Sequence, residues 1–224
     1  MKQDFAVFGL GMFGGSICKE LSEEGMQVLA VDIDEEKVHA FKNIASHAVI
    51  ADTTDEDALR ELGIKNIDHV IVAIGENIQA SILTAAILTD LEIKKITVKA
   101  QNEYHEKILN KIGVDEVVHP ERDMGKRIAR RLISNNILDY LELSDEHSIV
   151  EVRASRKMTG RTLVDLDIRM KYGCNVVAIK GDRGITVSPG SDDVLQANDV
   201  LVVIGADKDI TRFEKALVIE KGSR

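Results

Sequence analysis

Apolar positions along the first 120 residues fall in short β-branched runs, separated by segments with a helical period. The runs AVFG (6–9), VLAVDI (28–33), HAVIAD (47–52), HVIVAIG (69–75), KITVKA (95–100) and EVVHP (116–120) are apolar on both faces, as buried parallel strands are. Between them, Ile17 and Leu21 share a face in SICKELSEEG, and Val38, Phe41 and Ala45 share one in DEEKVHAFKNIA. Gly25 closes the first of these helices. In TTDEDALRELG, Thr54 is the expected cap, with Asp57 behind it and Gly63 at the end. NIQASILTAAILTDL and EYHEKILNKIG complete the series. Strands alternating with helices predict right-handed crossovers and an α/β, doubly wound parallel sheet.

The pattern changes after Pro120. ERDMGKRIARRLISNNILDYLELS reads as one long linking helix, with Ile128, Leu132, Leu138 and Leu141 apolar and SNN (134–136) as a place to bend or break. SIVEVRA (148–154) alternates with period two, the mark of a half-buried antiparallel strand. TLVDLDIRMKYG reads as a short helix closed by Gly173. NVVAIKGDRGITVSPG reads as a hairpin turning at GDRG (181–184), DVLVVIG (199–205) as a strand and ADKDITRFEKAL as a last helix. The expected organisation is a nucleotide-binding domain over 1–135 and a small α+β domain over 136–224.

Composition narrows the function. The net charge of -9 argues against a partner made of nucleic acid, which needs a basic face. The two cysteines, Cys18 and Cys174, stand far apart without a CxxC, which fits a reducing cytosol better than a disulfide framework. ILTAAILTDLEI is broken by polar residues before it could span a bilayer, and the N-terminus lacks the apolar core of a signal peptide. A soluble, cytoplasmic protein is expected, able to dock on a membrane partner.

The sharpest motif is Gly9-x-Gly11-x-x-Gly14, between a strand and a helix. Gly9 permits the tight turn, Gly11 lets a pyrophosphate approach the backbone, and Gly14 lets helix and strand pack closely. The helix start, at Met12 and Phe13, offers unpaired N–H groups and a partial positive charge. Asp32 ends the second strand, where a carboxylate accepts from ribose hydroxyls and repels a 2′-phosphate, which disfavours NADP. Ile33 follows it. Asp52 reaches the adenine or its ribose, or else caps a helix beside Thr53 and Thr54. Ala73, Ile74 and Gly75 end the fourth strand at the same crevice. Lys99 is the cation expected near the phosphates, and Glu121 is a plausible ligand for a divalent ion bound to them. A surface ion pair is the alternative for both.

A dehydrogenase would need a second domain presenting substrate and an acid or base to the cofactor. The unit that follows Pro120 holds one histidine, His147, and no nucleophile beside a base. His39, His47, His69 and His105 stand in ordinary helix or strand-start contexts. The nucleotide therefore reads as a signal rather than a reactant, so the chain is not expected to be an enzyme. A small NAD-dependent oxidoreductase is the alternative. A redox-sensing transcription factor would need a DNA-binding helix pair that the sequence does not offer.

The strings GLGMFGGSICKELSEEG, VDIDEEKV, ASHAVIADTTDE, DHVIVAIGENIQASILT, VKAQNEYHEKIL and HPERDMGKRIA resemble the regulators of potassium conductance, RCK domains of the TrkA-N type. More narrowly, they resemble the cytosolic regulatory subunit of the Ktr-type bacterial potassium transport system. LVDLDIRMKYGCNVVAIKGDRGITVSP resembles that family's TrkA-C regulatory domain. The resemblance covers nearly the whole chain and implies a Rossmann-like fold. It further implies a homo-octameric ring built from dimers, beneath an integral-membrane potassium transporter subunit at the inner face of the membrane. It implies that ATP and ADP compete for the glycine-loop site, ATP favouring the conducting ring and ADP the inactive one. Glu121 would lie near the γ-phosphate and a Mg²⁺ or other divalent ion. NAD(H) is a looser implication. Cyclic di-AMP is implied as an inhibitor at the C-terminal dimer interface, where Ile168, Arg169, Asn175 and Pro189 fall in the matching stretch. Arg169 is physically the best phosphate partner among them.

One position departs from the family. Met12 stands where the family carries an arginine that reaches the terminal phosphate of ATP from across the dimer. Methionine supplies neither charge nor a donor, so the sequence predicts nucleotide binding with poor discrimination of ATP from ADP. The basic run RDMGKRIARR (122–131) reads as a solvated helix face, with contact to the transporter as a second reading.

Overall fold

In a computed structural model, the chain divides into two compact units, 1–121 and 122–224. The structure describes residues 3–133, 137–144, 146–182 and 184–218, without the side chains of Arg130, Arg131 and Ile133. The SNN segment (134–136), Arg183 of the GDRG turn and the side chains at the C-terminal end of the basic run therefore lie outside what is described.

The first unit alternates β1 (Asp4–Phe8), α1 (Met12–Glu23), β2 (Gln27–Asp32), α2 (Glu35–Phe41), β3 (His47–Ile50), α3 (Glu56–Glu61), β4 (His69–Val72), α4 (Ile78–Asp90), β5 (Ile96–Lys99), α5 (Glu103–Ile112) and β6 (Glu116–Val118). Its six strands run parallel in the order β3-β2-β1-β4-β5-β6. The expected doubly wound sheet is present, covered on both faces. Along β1, Ala6 and Phe8 enter one apolar cluster with Leu59, Leu88 and Leu109. Val7 enters another, with Cys18, Val28 and Val38. The strand order reverses between β1 and β4, and ligands collect in the crevice that opens at such a point.

Local polar chemistry sets the helix starts. Asn77 accepts from the Ala80 N–H at 3.0 Å to cap α4, and Asn102 caps α5 through His105 N–H at 3.0 Å. The expected cap of α3 is corrected: Asp55, not Thr54, accepts from the Asp57 and Ala58 N–H groups. The Thr54 hydroxyl is already committed to Asp52, at 2.7 Å.

The helix α6 runs from Pro120 to Ile133. Proline suits its first position, where the missing N–H would have no partner anyway. The expected long linking helix is corrected beyond it, because β7 (Ile137–Ser144) is a strand paired antiparallel with β8 (His147–Arg153). The register slips between Ile137 and Asp139. That slip interrupts the period-two pattern and leaves Leu138 and Leu141 three apart, which imitates a helix.

The single helix expected over TLVDLDIRMKYG is likewise two short ones, α7 (Leu163–Leu166) and α8 (Ile168–Tyr172). Asp167 between them adopts a left-handed φ of 48°, a conformation aspartate tolerates better than most residues. The unit continues with β9 (Asn175–Gly181), β10 (Gly184–Val187), β11 (Val200–Ala206) and α9 (Asp207–Phe213). Its sheet order is β10-β9-β11-β8-β7. Val150, Val152, Leu201 and Val203 form the floor of its core, with Met158, Leu195 and Phe213 above. Over β8, buried Ser148 donates to Asp207 at 2.5 Å and Tyr140 donates to the same carboxylate at 3.0 Å. These bonds tie β7 and β8 to the start of α9.

The fold carries a pH dependence. His105 is buried with Nδ1 accepting from the Gln101 N–H at 3.3 Å and with Nε2 lacking a partner among the described residues. Burial, and then the neighbouring His119, hold His105 below the ordinary histidine pKa, and burial followed by Lys95 does the same to His69. Both folded values lie below the unfolded one, so the unfolded chain takes up protons first. Stability from these groups is complete above about pH 6.5 and is lost as pH falls toward their folded values. Urea midpoints should therefore rise between pH 5.5 and 7.5, and a His69→Gln/His105→Gln variant should show a visibly flatter rise.

Candidate functional site

The glycine loop is shaped by what its residues lack. Gly9 has φ 91°, and a Cβ there would meet the Ala73 carbonyl at 3.0 Å. Its N–H donates to the Val31 carbonyl at 2.8 Å, which ties the loop to β2. A Cβ on Gly14 would lie 1.9 Å from the Gly9 carbonyl oxygen, so the first turn of α1 rests directly on the end of β1. At Gly11 a Cβ would meet nothing within 4 Å. Gly11 also occupies the cap position of α1 with no side-chain cap, so the first N–H groups of that helix lack the usual partner.

Asp32 holds this loop in place. Its carboxylate accepts from the Leu10 N–H at 2.7 Å and from the Asp34 N–H at 2.9 Å, and the residue is 9% exposed. Each oxygen keeps a free lone pair, so the group can still accept from a ligand hydroxyl. Asp52 accepts from the Thr54 hydroxyl and then its N–H, which hold the carboxyl below the usual range. Thr53 is buried and bonds the Thr84 hydroxyl of α4 at 2.9 Å.

Every residue named from the sequence for the nucleotide site, except Gly14, lines one cavity of about 590 Å³. Gly14 lies beneath it as a packing residue. Met12 stands at the rim, 93% exposed, and Ile33 is also exposed. Lys99 ends β5 with its ammonium group 5.8 Å from the Phe13 ring centroid and ion-paired with Glu121. That pair, through the Lys99 hydrogen bond first, holds the Glu121 carboxyl below its ordinary value. Lys37, Glu76 and Asn77 also line the cavity and were missed in the sequence. Asn77 was the detectable one, since an asparagine directly precedes the apolar run of α4. Among the described residues no group of three or more His, Cys, Asp or Glu side chains could hold a metal ion by itself. A cation here would need oxygens from its ligand as well as from Glu121.

A TrkA-N domain model matches residues 5–120 and a TrkA-C domain model matches residues 147–218. Ktr system potassium uptake protein C of Bacillus subtilis (strain 168) is 62% identical over 221 residues, covering 99% of this chain and all of the relative. The chain belongs to the Ktr potassium uptake family. Ktr system potassium uptake protein A of the same organism is 55% identical over 212 residues, covering 95% of this chain and 96% of its own. The structure also shares its fold with the GsuK channel bound to NAD, at a TM-score of 0.68 and 16% identity, over 100% of this chain and 41% of that one.

In the second unit of this Ktr family member, the four residues named for a second ligand fall in different surroundings. Ile168 packs in the core, while Arg169 and Asn175 are exposed. Pro189 follows Ser188, whose φ of 54° is left-handed and whose N–H donates to the Val177 carbonyl at 2.9 Å. A separate cavity of about 740 Å³ lies by Gly181, Ile185, Val194 and Asp199, and none of the four lines it. No described helix is long and apolar enough to cross a membrane.

The glycines make opposite predictions. Gly14→Ala should lower unfolding free energy by about 1–3 kcal/mol, because a methyl group has no space against Gly9. Gly11→Ala should leave the urea midpoint nearly unchanged yet weaken nucleotide binding by roughly tenfold or more, since its methyl stands in the cavity. Urea titration beside a fluorescent-nucleotide titration separates the two.

Proposed function

We propose that this chain is a nucleotide-sensing regulatory subunit of a potassium uptake system, rather than an enzyme. The supporting observation is the glycine loop, locked by Asp32 at the switch point of the sheet with the uncapped start of α1 open to the cavity. Such a terminus suits phosphate oxygens. Lys99 adds one positive charge, and Ile33 and Ile74 offer apolar surface to a base. Relatives aligned over almost their whole length are named potassium uptake proteins, which supports the same role here.

On this reading the site takes ATP or ADP, with NAD(H) as a competitor, and Glu121 joins the phosphates in holding Mg²⁺ or another divalent ion. ATP favours the conducting shape of a ring of eight subunits built from dimers, and ADP the inactive shape. A ligand shifts such an equilibrium only by its differential affinity for the two shapes. The partner is an integral-membrane potassium transporter subunit, met from the cytoplasm at the inner face of the membrane. Cyclic di-AMP binds the C-terminal domain near Arg169, Asn175 and Pro189 as an inhibitor. On this reading α6 counts with the nucleotide-binding domain, so the functional division runs 1–135 and 136–224 although the compact units meet at 121.

Calorimetric titration of the nucleotide-stripped protein with ATP, ADP and NADH, with and without Mg²⁺, tests this reading. Without a divalent ion, ATP and ADP should both bind, with dissociation constants within about threefold, because Met12 adds no charged contact at the terminal phosphate. Met12→Arg should tighten ATP by roughly tenfold, the worth of one charge-assisted bond, and leave ADP nearly unchanged. Equal tightening of both nucleotides would remove the discrimination argument. Binding of NADH alone would overturn the sensor reading in favour of an oxidoreductase.

A further inference from the structure

The two partners of the Lys99–Glu121 ion pair live in very different surroundings. The Lys99 side chain is 12% exposed, whereas that of Glu121 is 70% exposed. The ammonium group lies beside the Phe13 ring and close to Gly75, where a Cβ would stand 3.5 Å from it. Both neighbours line the nucleotide cavity. The stem of Lys99 is largely covered while its ammonium group reaches the cavity, and the acceptor it meets there is Glu121. Glu121 is the second residue of α6, the helix that carries the chain from the first compact unit into the second.

We propose that this ion pair is a displaceable clasp on the first turn of α6. It rests on the nucleotide-sensor reading. In the free protein, Glu121 neutralises Lys99 and is held to the end of β5 by it. Phosphate oxygens entering between the start of α1 and Gly75 meet the same ammonium group and compete for it. When they take Lys99, Glu121 loses its partner and faces a polyphosphate of its own sign. The first turn of α6 is then released from β5, unless a divalent cation bridges the carboxylate to the ligand. The clasp thus converts occupancy of the cavity into a change at the start of the connecting helix. It also gives a reason for cation dependence in the charge balance: a ligand that displaces Glu121 creates the site that the cation fills.

A clasp differs in sign from a carboxylate that serves only as a cation ligand. Breaking the pair costs the incoming nucleotide free energy, so its removal in advance should tighten binding when no cation is present. In EDTA, Glu121→Gln should bind ATP roughly 3- to 10-fold tighter than the parent, the range of a partly buried ion-pair coupling. In a Lys99→Met background the same substitution should change ATP affinity by less than about twofold, because no pair is left to break. Lys99→Arg, which keeps the charge, should restore the gain. Simple repulsion between Glu121 and phosphate would instead give the same gain in both backgrounds and would overturn the clasp.

A second readout needs no ligand. Amide hydrogen exchange in peptides over 120–127 should be several-fold faster in Glu121→Gln than in the parent, with exchange in β1 and β5 unchanged. Addition of ATP in EDTA should speed exchange over 120–127 in the parent and leave the variant unaffected. Equal exchange in parent and variant overturns the clasp even if nucleotides bind. If no nucleotide binds the parent, the sensor reading fails, and the clasp as a nucleotide device fails with it.

Discussion

The bond from the Leu10 N–H to the carboxylate of Asp32, 2.7 Å long and almost fully buried, is the constraint on which the cavity depends. It ties the glycine loop to the end of the neighbouring strand. Without it the loop would be held by the Gly9 N–H bond to Val31 and by the contact of Gly14 with the Gly9 carbonyl. The same carboxylate takes the Asp34 N–H, which fixes the turn leading into α2. One buried group therefore aligns the start of α1, the end of β2 and the entry to α2. A buried carboxylate with two backbone donors is a satisfied anion, and its cost of desolvation is offset where it stands. The ribose-facing role expected for Asp32 uses only the lone pairs that remain.

The first unit was legible in the sequence because its signals agree with one another. Each strand is apolar on both faces, each helix has its own period, and glycine or asparagine stands where a turn or cap is needed. Agreement across levels of that kind is what makes a fold readable. The glycine loop could be assigned residue by residue because steric demands at Gly9 and Gly14 leave little choice. Thr54 misled as a cap because its hydroxyl had a nearer acceptor, Asp52, which no local pattern weighs against a helix N–H.

The second unit was less legible. The register slip near Leu138 broke the alternation of β7 and produced a helical spacing in a strand. Asp167 adopted a left-handed conformation without the glycine that would have announced it, and so one expected helix became two. Lys37 and Glu76 reach the glycine-loop cavity from segments whose sequences look like ordinary solvated surface. Their proximity to the loop is a product of the sheet order, which local patterns do not carry. The ion pair between Lys99 and Glu121 is of the same kind. Each residue was marked as a phosphate or cation candidate, yet that they answer to each other follows from the pairing of β5 with β6 and the immediate start of α6.

Met12 gives that ion pair added weight. With methionine at the rim, the loop carries no charge of its own toward the outer phosphates, and the helix terminus contributes only a partial one. Lys99 then supplies a full positive charge beside Phe13 and Gly75, and Glu121 already neutralises it. A third phosphate brings further negative charge toward the same pair without bringing a new donor. Its net reward is set by whether Lys99 can be taken and Glu121 compensated, and both depend on a cation rather than on the loop. Discrimination by phosphate number in this chain is therefore expected to follow the divalent ion. A loop arginine would have supplied it from the protein itself, at any cation concentration. On the proposed reading, sensing of the nucleotide and sensing of the cation become a single charge-balance problem centred on Lys99.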